Sequence, residues 1–267
     1  RWFFTITNGF VFTKGVWQGG VLCVRLFNVF IDELSDILCA LKTGCYLNGT
    51  CFNHIMYADY SLLIAPHPGA LQELIDVCID FASKNDMIYN VIKSCCIAFL
   101  PHMYMNFNLP LLTLGNDRLK WVSSKKYLGI IVSSDASDDL DIERQMKFIY
   151  AKGNCLISKF KNCNNEVKRR IFIAYCNSLY LSHLWCNFRK ASHKRIVVAY
   201  NNIFRALFCI ERGISISRFY VEYNINTFSV LERKYMFSFY RRAMSHCNTL
   251  MKTIFSSVYF IHGSNIF

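Results

Sequence analysis

The stretch "HIMYADYSLLIA", residues 54–65, places one acid between two short apolar runs. Apolar and β-prone residues lead up to Asp59 and resume after Tyr60, a pattern typical of two strands joined by a tight turn. We therefore predict a β-hairpin with Asp59 near its apex. A carboxylate in that position is a candidate ligand for a hard cation, and a solvated turn aspartate is the alternative.

The segments on either side of this hairpin have helical periodicity. Gly19 and Gly20 break the preceding strand, and the next apolar residues recur at helical spacing: Leu22, Leu26, Phe27, Phe30, Leu34, Ile37 and Leu38. Downstream, "PGALQELIDVCIDFASKND" (68–86) predicts a second amphipathic helix. Its apolar face consists of Leu71, Leu74, Ile75, Cys78, Phe81 and Ala82.

Short strands and turns account for the rest of the first 134 residues. "RWFFTITNGFVFTKGV" (1–16) reads as a hairpin, and "MIYN" (87–90) and "CCIAF" (95–99) read as strands. "LPLLTLGNDRLKWV" (109–122) predicts a hairpin turning at 115–117, and "KKYLGIIV" (125–132) predicts a strand. Strands mixed with helices favour the α+β class for residues 1–134.

The chain changes character near Asp135. Helices are predicted at 139–160, 166–188, 192–210 (opened by Ser192) and 227–246 (opened by Thr227), so we place a domain boundary there, with 135–267 all helical. The whole chain carries +12, yet residues 151–267 alone carry +14, from 18 basic and four acidic residues. That asymmetry favours contact with a polyanion such as nucleic acid. A merely basic surface is the alternative.

Composition narrows the class of protein. The sequence is 53% hydrophobic and 18% charged, without low-complexity tracts, which is typical of a folded chain. It shows no secretory leader pattern and no uncharged apolar run long enough for a bilayer, so we expect no membrane partner and an intracellular location, in nucleus or cytoplasm. Thirteen cysteines without a CxxC pair suit reduced thiols. Because the sequence begins with Arg1, we expect a truncated N-terminus.

Four segments together resemble a known family. "GVWQGGVLCVRLFNVFIDELSDIL" (15–38), "HIMYADYSLLIA", "YNVIKSCCIAF" (89–99) and "KKYLGIIV" follow in an order and spacing that resemble the reverse transcriptases of non-LTR (LINE-type) retrotransposons. Residues 15–131 resemble the end of the fingers and the palm, and 139–188 resemble the helical region that follows. The resemblance implies a palm-like antiparallel sheet with packed helices, then a basic, thumb-like helical region. It also implies RNA-directed DNA polymerase activity on an RNA template and DNA primer duplex.

The resemblance implies two divalent cations, Mg²⁺ or Mn²⁺, held by an early-strand aspartate and the two acids of a "YADD" hairpin. Asp59 matches the first acid of that pair, and Tyr60 stands where the second belongs. A phenol offers one neutral oxygen in place of an anionic pair. The early-strand aspartate would precede the first hairpin, outside this sequence. With one carboxylate of three, we expect metal capture to fail and this chain to be inactive as a polymerase by itself.

Other family positions are matched in part. Gln18 and Gly19 match a "QG" step near the template and incoming nucleotide, although Trp17 replaces the usual arginine and an ordinary helix entry is the alternative. Lys93 matches a lysine near the phosphates, and a solvated lysine is an equal interpretation. Tyr127, Leu128 and Gly129, within "KYLG", resemble the primer-grip hairpin, with a plain strand and turn as the alternative.

Candidate contacts with the nucleic-acid backbone lie in the helical region, where cations hold phosphate with little reading of sequence. They are Lys159, Lys161, Lys168, Arg169, Arg170, Arg189, Lys190, Lys194 and Arg195. The leading hypothesis is a truncated, degenerate reverse-transcriptase domain. A non-catalytic nucleic-acid-binding remnant is the alternative, and a chain that fails to fold stably is a third. The sequence leaves the oligomeric state open.

Overall fold

The computed structural model describes residue 20 and residues 22–101, 108–179 and 182–257. The helices are α1 (Cys23–Leu41), α2 (Pro68–Lys84), α3 (Asp139–Phe160), α4 (Asn165–Cys176), α5 (Lys190–Phe208), α6 (Ser217–Glu222), α7 (Phe228–Met244) and α8 (Thr249–Phe255). A single 3-10 turn in the described chain spans Ser182–Leu184. None of the described helices has the length and hydrophobicity needed to cross a bilayer.

The strands are short and pair two by two. They are β1 (Cys45–Leu47), β2 (Thr50–Phe52), β3 (His54–Tyr57), β4 (Tyr60–Leu63), β5 (Cys95–Cys96), β6 (Thr113–Leu114), β7 (Asp117–Arg118), β8 (Lys120–Trp121), β9 (Ser124–Tyr127) and β10 (Ile130–Ser133). Four consecutive pairs are antiparallel, and β5 pairs with β8 in parallel. No sheet among the described residues exceeds two strands. The α+β class is therefore confirmed, whereas a palm-like sheet stays a prediction.

The described chain forms two compact units. The first contains the described residues up to Ser94 together with Leu109–Leu119, and the second contains the rest. The predicted boundary near Asp135 marks the start of the helical run, but β8, β9 and β10 group with the helices that follow them. A change of secondary structure and a change of compact unit thus occur at different places in this chain.

The core of the first unit lies between α1 and α2. Its buried members are Ile31, Leu34 and Leu38 from α1, with Leu74, Cys78 and Phe81 from α2. The predicted face of α2 is confirmed except that Ala70 is buried and Leu71 is half-buried. The predicted stripe on α1 is wrong at Leu22, Leu26, Phe30 and Ile37, which are exposed. The buried residues of α1 are at positions 31, 34 and 38, on one side of the helix. Much of the predicted apolar stripe lies on a neighbouring side.

The second unit has a larger, aromatic core. Phe172 of α4 is fully buried, and its ring centroid lies 5.2 Å from that of Tyr200 and 5.5 Å from that of Phe204. Helix α3 runs close beside α5 because Gly153 has no side chain there: a Cβ atom would lie within 3.0 Å of Ile203. This close approach supports burial of the residues that α3 contributes.

Several predicted elements differ from the structure. Residues 87–90 form no strand, since the Met87 amide bonds back to the Ala82 carbonyl at the end of α2. The strand predicted at 95–99 is only β5, and "KKYLGIIV" belongs to the β9–β10 hairpin. Helix α5 begins at Lys190, before Ser192, while α3 matches its predicted bounds and α7 starts directly after Thr227. The 109–122 turn is confirmed, and α6 and α8 were not predicted.

Helix α4 ends well before the predicted residue 188. Its last residue is Cys176, and Asn177 is buried and bonded to two aromatic hydroxyls. The Tyr200 hydroxyl donates to Asn177 Oδ1 at 2.9 Å, and the Tyr235 hydroxyl donates to the Asn177 carbonyl at 2.5 Å. The side chain and the carbonyl of Asn177 thus both make tertiary hydrogen bonds. Helix α4 ends there although the apolar periodicity continues in the sequence.

Candidate active site and nucleic-acid interface

Asp59 lies at the apex of a hairpin, as the sequence predicts. Strands β3 and β4 pair from His54 with Leu63 to Tyr57 with Tyr60, which leaves Ala58 and Asp59 as the two-residue turn. Ala58 has a φ of +50°, a conformation that two-residue hairpin turns commonly use. The Asp59 side chain is exposed at the turn. The geometry therefore presents one carboxylate to solvent at the tip of two short strands.

Polar side chains that the sequence reasoning missed hold this hairpin against α1. The buried Asn53 donates from Nδ2 to the Leu38 carbonyl at 2.5 Å, and its own carbonyl accepts from the Ile64 amide at 2.8 Å. His54 Nε2 lies 2.7 Å from Ser35 Oγ of α1. Burial lowers the pKa of His54 below its ordinary value. These contacts join the base of the hairpin to the core of its unit.

The donor set around Asp59 does not fit a pair of divalent cations. Hard cations in proteins take several oxygen ligands, of which carboxylates are the strongest. In the part of the chain that the structure describes, no three His, Cys, Asp or Glu side chains are grouped to hold a metal ion. Tyr60, the residue after Asp59, brings a half-exposed phenol and no second carboxylate. We therefore assign no reaction step to a metal ion at Asp59.

The other nucleotide-site predictions are only partly described. Gln18, Gly19, Trp17 and the hairpin predicted at 1–16 lie outside the described residues. Lys93 lies in a turn, where its amide bonds to Asn90 Oδ1 at 3.1 Å and its side chain is exposed. An exposed lysine suits both the phosphate contact and the solvated residue, so each stays a prediction.

The segment that resembles a primer grip is a hairpin. Strands β9 and β10 pair Tyr127 with Ile130, so Leu128 and Gly129 form the turn, with φ values of +43° and +91°. Positive φ at both positions is the requirement of a type I′ turn, and glycine meets it without a Cβ. Burial raises the pKa of the Tyr127 hydroxyl. The contact with a primer stays a prediction.

A buried carboxylate at the start of α3 anchors this hairpin. Asp141 is 2% exposed and accepts from the Ile131 amide at 3.0 Å, from Arg144 Nε at 2.7 Å and from Trp185 Nε1 at 2.9 Å. One side chain thus joins β10, α3 and the segment after the 3-10 turn. The sequence showed Asp141 only as an acid in the first turn of a helix, because its three donors lie 3, 10 and 44 residues away.

The predicted phosphate contacts fall into three groups in the structure. Lys159, Lys161, Lys190, Lys194 and Arg195 are exposed. Arg170 and Arg189 are exposed but paired, at 2.8 Å with Glu166 and at 3.3 Å with Asp139.

Lys168 and Arg169 are the exceptions. Lys168 is only 6% exposed, and Arg169 Nε donates to the Tyr223 carbonyl at 2.7 Å. Burial removes Lys168 from the exposed basic set, and Arg169 has a structural bond to the residue that follows α6.

Comparisons of the chain with protein-family models, with curated proteins and with solved structures found no match.

Proposed function

We propose that this chain is part of a reverse-transcriptase domain of LINE-type descent that binds nucleic acid and does not polymerise by itself. The observation that carries the proposal is the exposed Asp59 at a two-residue hairpin apex, followed by Tyr60. The motif order around it and the Leu128–Gly129 hairpin support the same origin. The finer fold, a palm-like sheet followed by a thumb-like helical region, belongs to this proposal.

Loss of activity follows from charge. Nucleotide addition by two cations needs carboxylates that hold both ions and offset the charge on the leaving group. A phenol beside Asp59 supplies neither, and removing one electrostatic group from a transition state commonly costs about 10²- to 10³-fold in rate. The hairpin therefore carries one carboxylate where the parent family has two.

Binding of nucleic acid through its phosphates needs no metal ion, so it does not depend on the carboxylates at the hairpin. Residues 151–267 carry +14, and exposed cations on α3 and α5 face solvent. We propose an RNA template and DNA primer duplex as the partner, bound through its phosphates. Such binding weakens steeply as salt concentration rises.

The experiment compares primer extension and binding on the full chain. We expect no Mg²⁺- or Mn²⁺-dependent extension above that of Asp59→Asn, and equal affinity for a template-primer duplex with Mg²⁺ and in EDTA. Asp80→Asn, an exposed acid on α2, is the matched control. Metal-dependent synthesis that Asp59→Asn abolishes and Asp80→Asn preserves would show an active polymerase. Absence of any salt-sensitive binding would remove the nucleic-acid function.

A further inference from the structure

A groove of about 800 Å³ lies beside α3 in the second unit, and every charged side chain on its described walls is basic. The cations come from β9 and from α3, and two aromatic side chains stand among them. These residues are Lys126, Arg144, Lys147 and Lys152, with Phe148 and Tyr235. We call this surface the α3 groove.

A neighbouring pocket shows that the charge of the α3 groove is not general to the unit. The smaller pocket, of about 180 Å³, lies between the first turns of α3 and α5. Its walls carry Asp139 and Glu143 together with Arg189 and Arg195. Charges of both signs nearly cancel there, whereas the α3 groove offers a field of one sign, which concentrates anions.

The cations of the α3 groove are only partly neutralised. Lys147 pairs with Glu143 at 2.9 Å, but its side chain is 73% exposed, so that pair is weak. Arg144 bonds to the buried Asp141 through Nε, while its Nη2 is buried and makes no hydrogen bond within the described chain. Arg144 is therefore committed to Asp141, and the three lysines are the cations left for a ligand.

Phe148 adds a feature that phosphate binding alone does not explain. The side chain is 46% exposed although it is large and apolar. Lys152 Nζ lies 4.2 Å from the ring centroid and is held there by Ser178 Oγ at 2.9 Å. An exposed aromatic ring inside a basic groove is the combination by which proteins hold single-stranded nucleic acid: phosphates on the cations and a base on the ring. Lys152 covers one face of the ring, so a base has to stack on the other face.

We propose that the α3 groove binds an unpaired nucleic-acid strand, with phosphates on Lys126, Lys147 and Lys152 and one base stacked on Phe148. The inference deepens the proposed function and rests on it, since it names which part of a template-primer the second unit holds. A duplex keeps its bases stacked on each other and offers none to Phe148. The groove therefore distinguishes a single strand from a blunt duplex.

The first test removes charge. Full-length K126Q/K147Q/K152Q is compared with R212Q/R241Q/K252Q, which loses three cations outside the groove. Fluorescence anisotropy measures binding to a strand of about 15 thymidines and to a blunt duplex of equal length. We expect the groove variant to lose about 100-fold in affinity for the strand and to lower its salt slope by about 2, with the duplex affected no more than in the control. Equal losses in both variants, or on both ligands, would overturn the proposal.

The second test removes the ring. Phe148→Ala is expected to weaken binding of the thymidine strand about tenfold, the scale of one base-aromatic stack. Its affinity for an abasic strand of equal length is expected to stay unchanged. Phe237→Ala, an exposed aromatic on α7, serves as the control and is expected to change neither. Equal effects of Phe148→Ala on both strands, or no effect on either, would rule out stacking.

Failure of the proposed function and failure of the α3 groove give different experimental results. If the unmodified chain binds neither the strand nor the duplex, the proposed function fails, and the inference fails with it. If the chain binds both and the two triple variants behave alike, the proposed function stands and only the α3 groove is excluded. Circular dichroism of each variant confirms that the helices are intact before affinities are compared.

Discussion

The first unit buries six residues in the core between α1 and α2, whereas the second buries seventeen in the core around Phe172, within the described chain. The first unit also leaves Leu26 and Ile37 of α1 exposed, together with Leu22 directly before the helix. Asp59 belongs to the first unit, and the α3 groove belongs to the second. Asp59, to which only the resemblance assigns chemistry, is therefore supported by the smaller core, and the groove that we propose as a nucleic-acid site is supported by the larger one.

The sharpest test of this comparison is the reactivity of one buried thiol in each unit. Burial raises the pKa of Cys78 to about 11 and that of Cys176 to about 12, from an ordinary 9.0. In the folded chain we expect both to react at least about a hundredfold more slowly than exposed Cys155, because only the thiolate is nucleophilic. As urea is raised, Cys78 should become reactive before Cys176, followed by mass spectrometry of pulse-labelled peptides. One common urea midpoint for both thiols would contradict the expectation that the first unit unfolds before the second.

A core substitution in the second unit should have the next largest effect. Phe172→Ala removes a fully buried ring from the aromatic cluster and is expected to lower the free energy of unfolding by about 3–5 kcal/mol. Urea denaturation monitored at Cys176 measures the loss. Phe237→Ala, 63% exposed, should change stability by no more than about 0.5 kcal/mol. A Phe172→Ala chain as stable as this control would show that the cluster contributes little.

Substitution of the buried Asp141 should have the third largest effect. Asp141→Ala leaves the Ile131 amide, the Trp185 indole and Arg144 without their acceptor, and we expect a loss of about 3 kcal/mol. Glu143→Ala breaks an exposed pair with Lys147 and removes a weaker attraction to Arg195, and should cost less than about 1 kcal/mol. Denaturant midpoints of the two variants compare them directly, and similar values would contradict the anchoring role of Asp141.

The smallest expected effect is the change in stability of the first unit with pH. Burial lowers the pKa of His54 below its ordinary 6.5, so the unfolded chain takes up this proton first as pH falls. The contribution of neutral His54 to the free energy of unfolding is fully present above about pH 6.5. It is lost as the pH drops from there towards the lowered pKa that His54 has in the folded chain. The urea midpoint of Cys78 protection should fall on acidification, and His54→Gln should reduce that fall. His183→Gln, in the second unit, is the control, and an equal change in both variants would argue against His54.

Periodic, local patterns predicted much of this fold. The bounds of α3 and the buried face of α2 follow from apolar spacing, and the Asp59 hairpin follows from two apolar runs around a polar pair. The early end of α4 was missed, because it depends on Tyr200 and Tyr235 reaching Asn177 from other helices. The β1–β2 hairpin was also missed, although Asn48 and Gly49, with φ values of +48° and +76°, are the local signal that would have found it.

The candidate sites show the same limit. The sequence placed Asp59 and Leu128–Gly129 in turns, since turn chemistry is local. It grouped the basic residues by their charge, and the structure then separated exposed Lys190 from buried Lys168. The α3 groove combines Lys126 with residues some twenty positions further on, and with Tyr235 more than a hundred positions away. Charge counting along a chain cannot predict which cations will share a surface.

The positive φ of Ala58 has a consequence for substitutions in the β3–β4 hairpin. A residue with a Cβ carries a penalty of about 1 kcal/mol in that region, so the turn is kept in shape by the pairing of β3 with β4 rather than by its own preference. A Tyr60→Asp substitution would place a second acid beside Asp59, on a turn whose shape depends on the two strands that flank it. Substitutions that weaken the pairing of β3 with β4 are therefore expected to change the turn and move Asp59, even where they do not touch it.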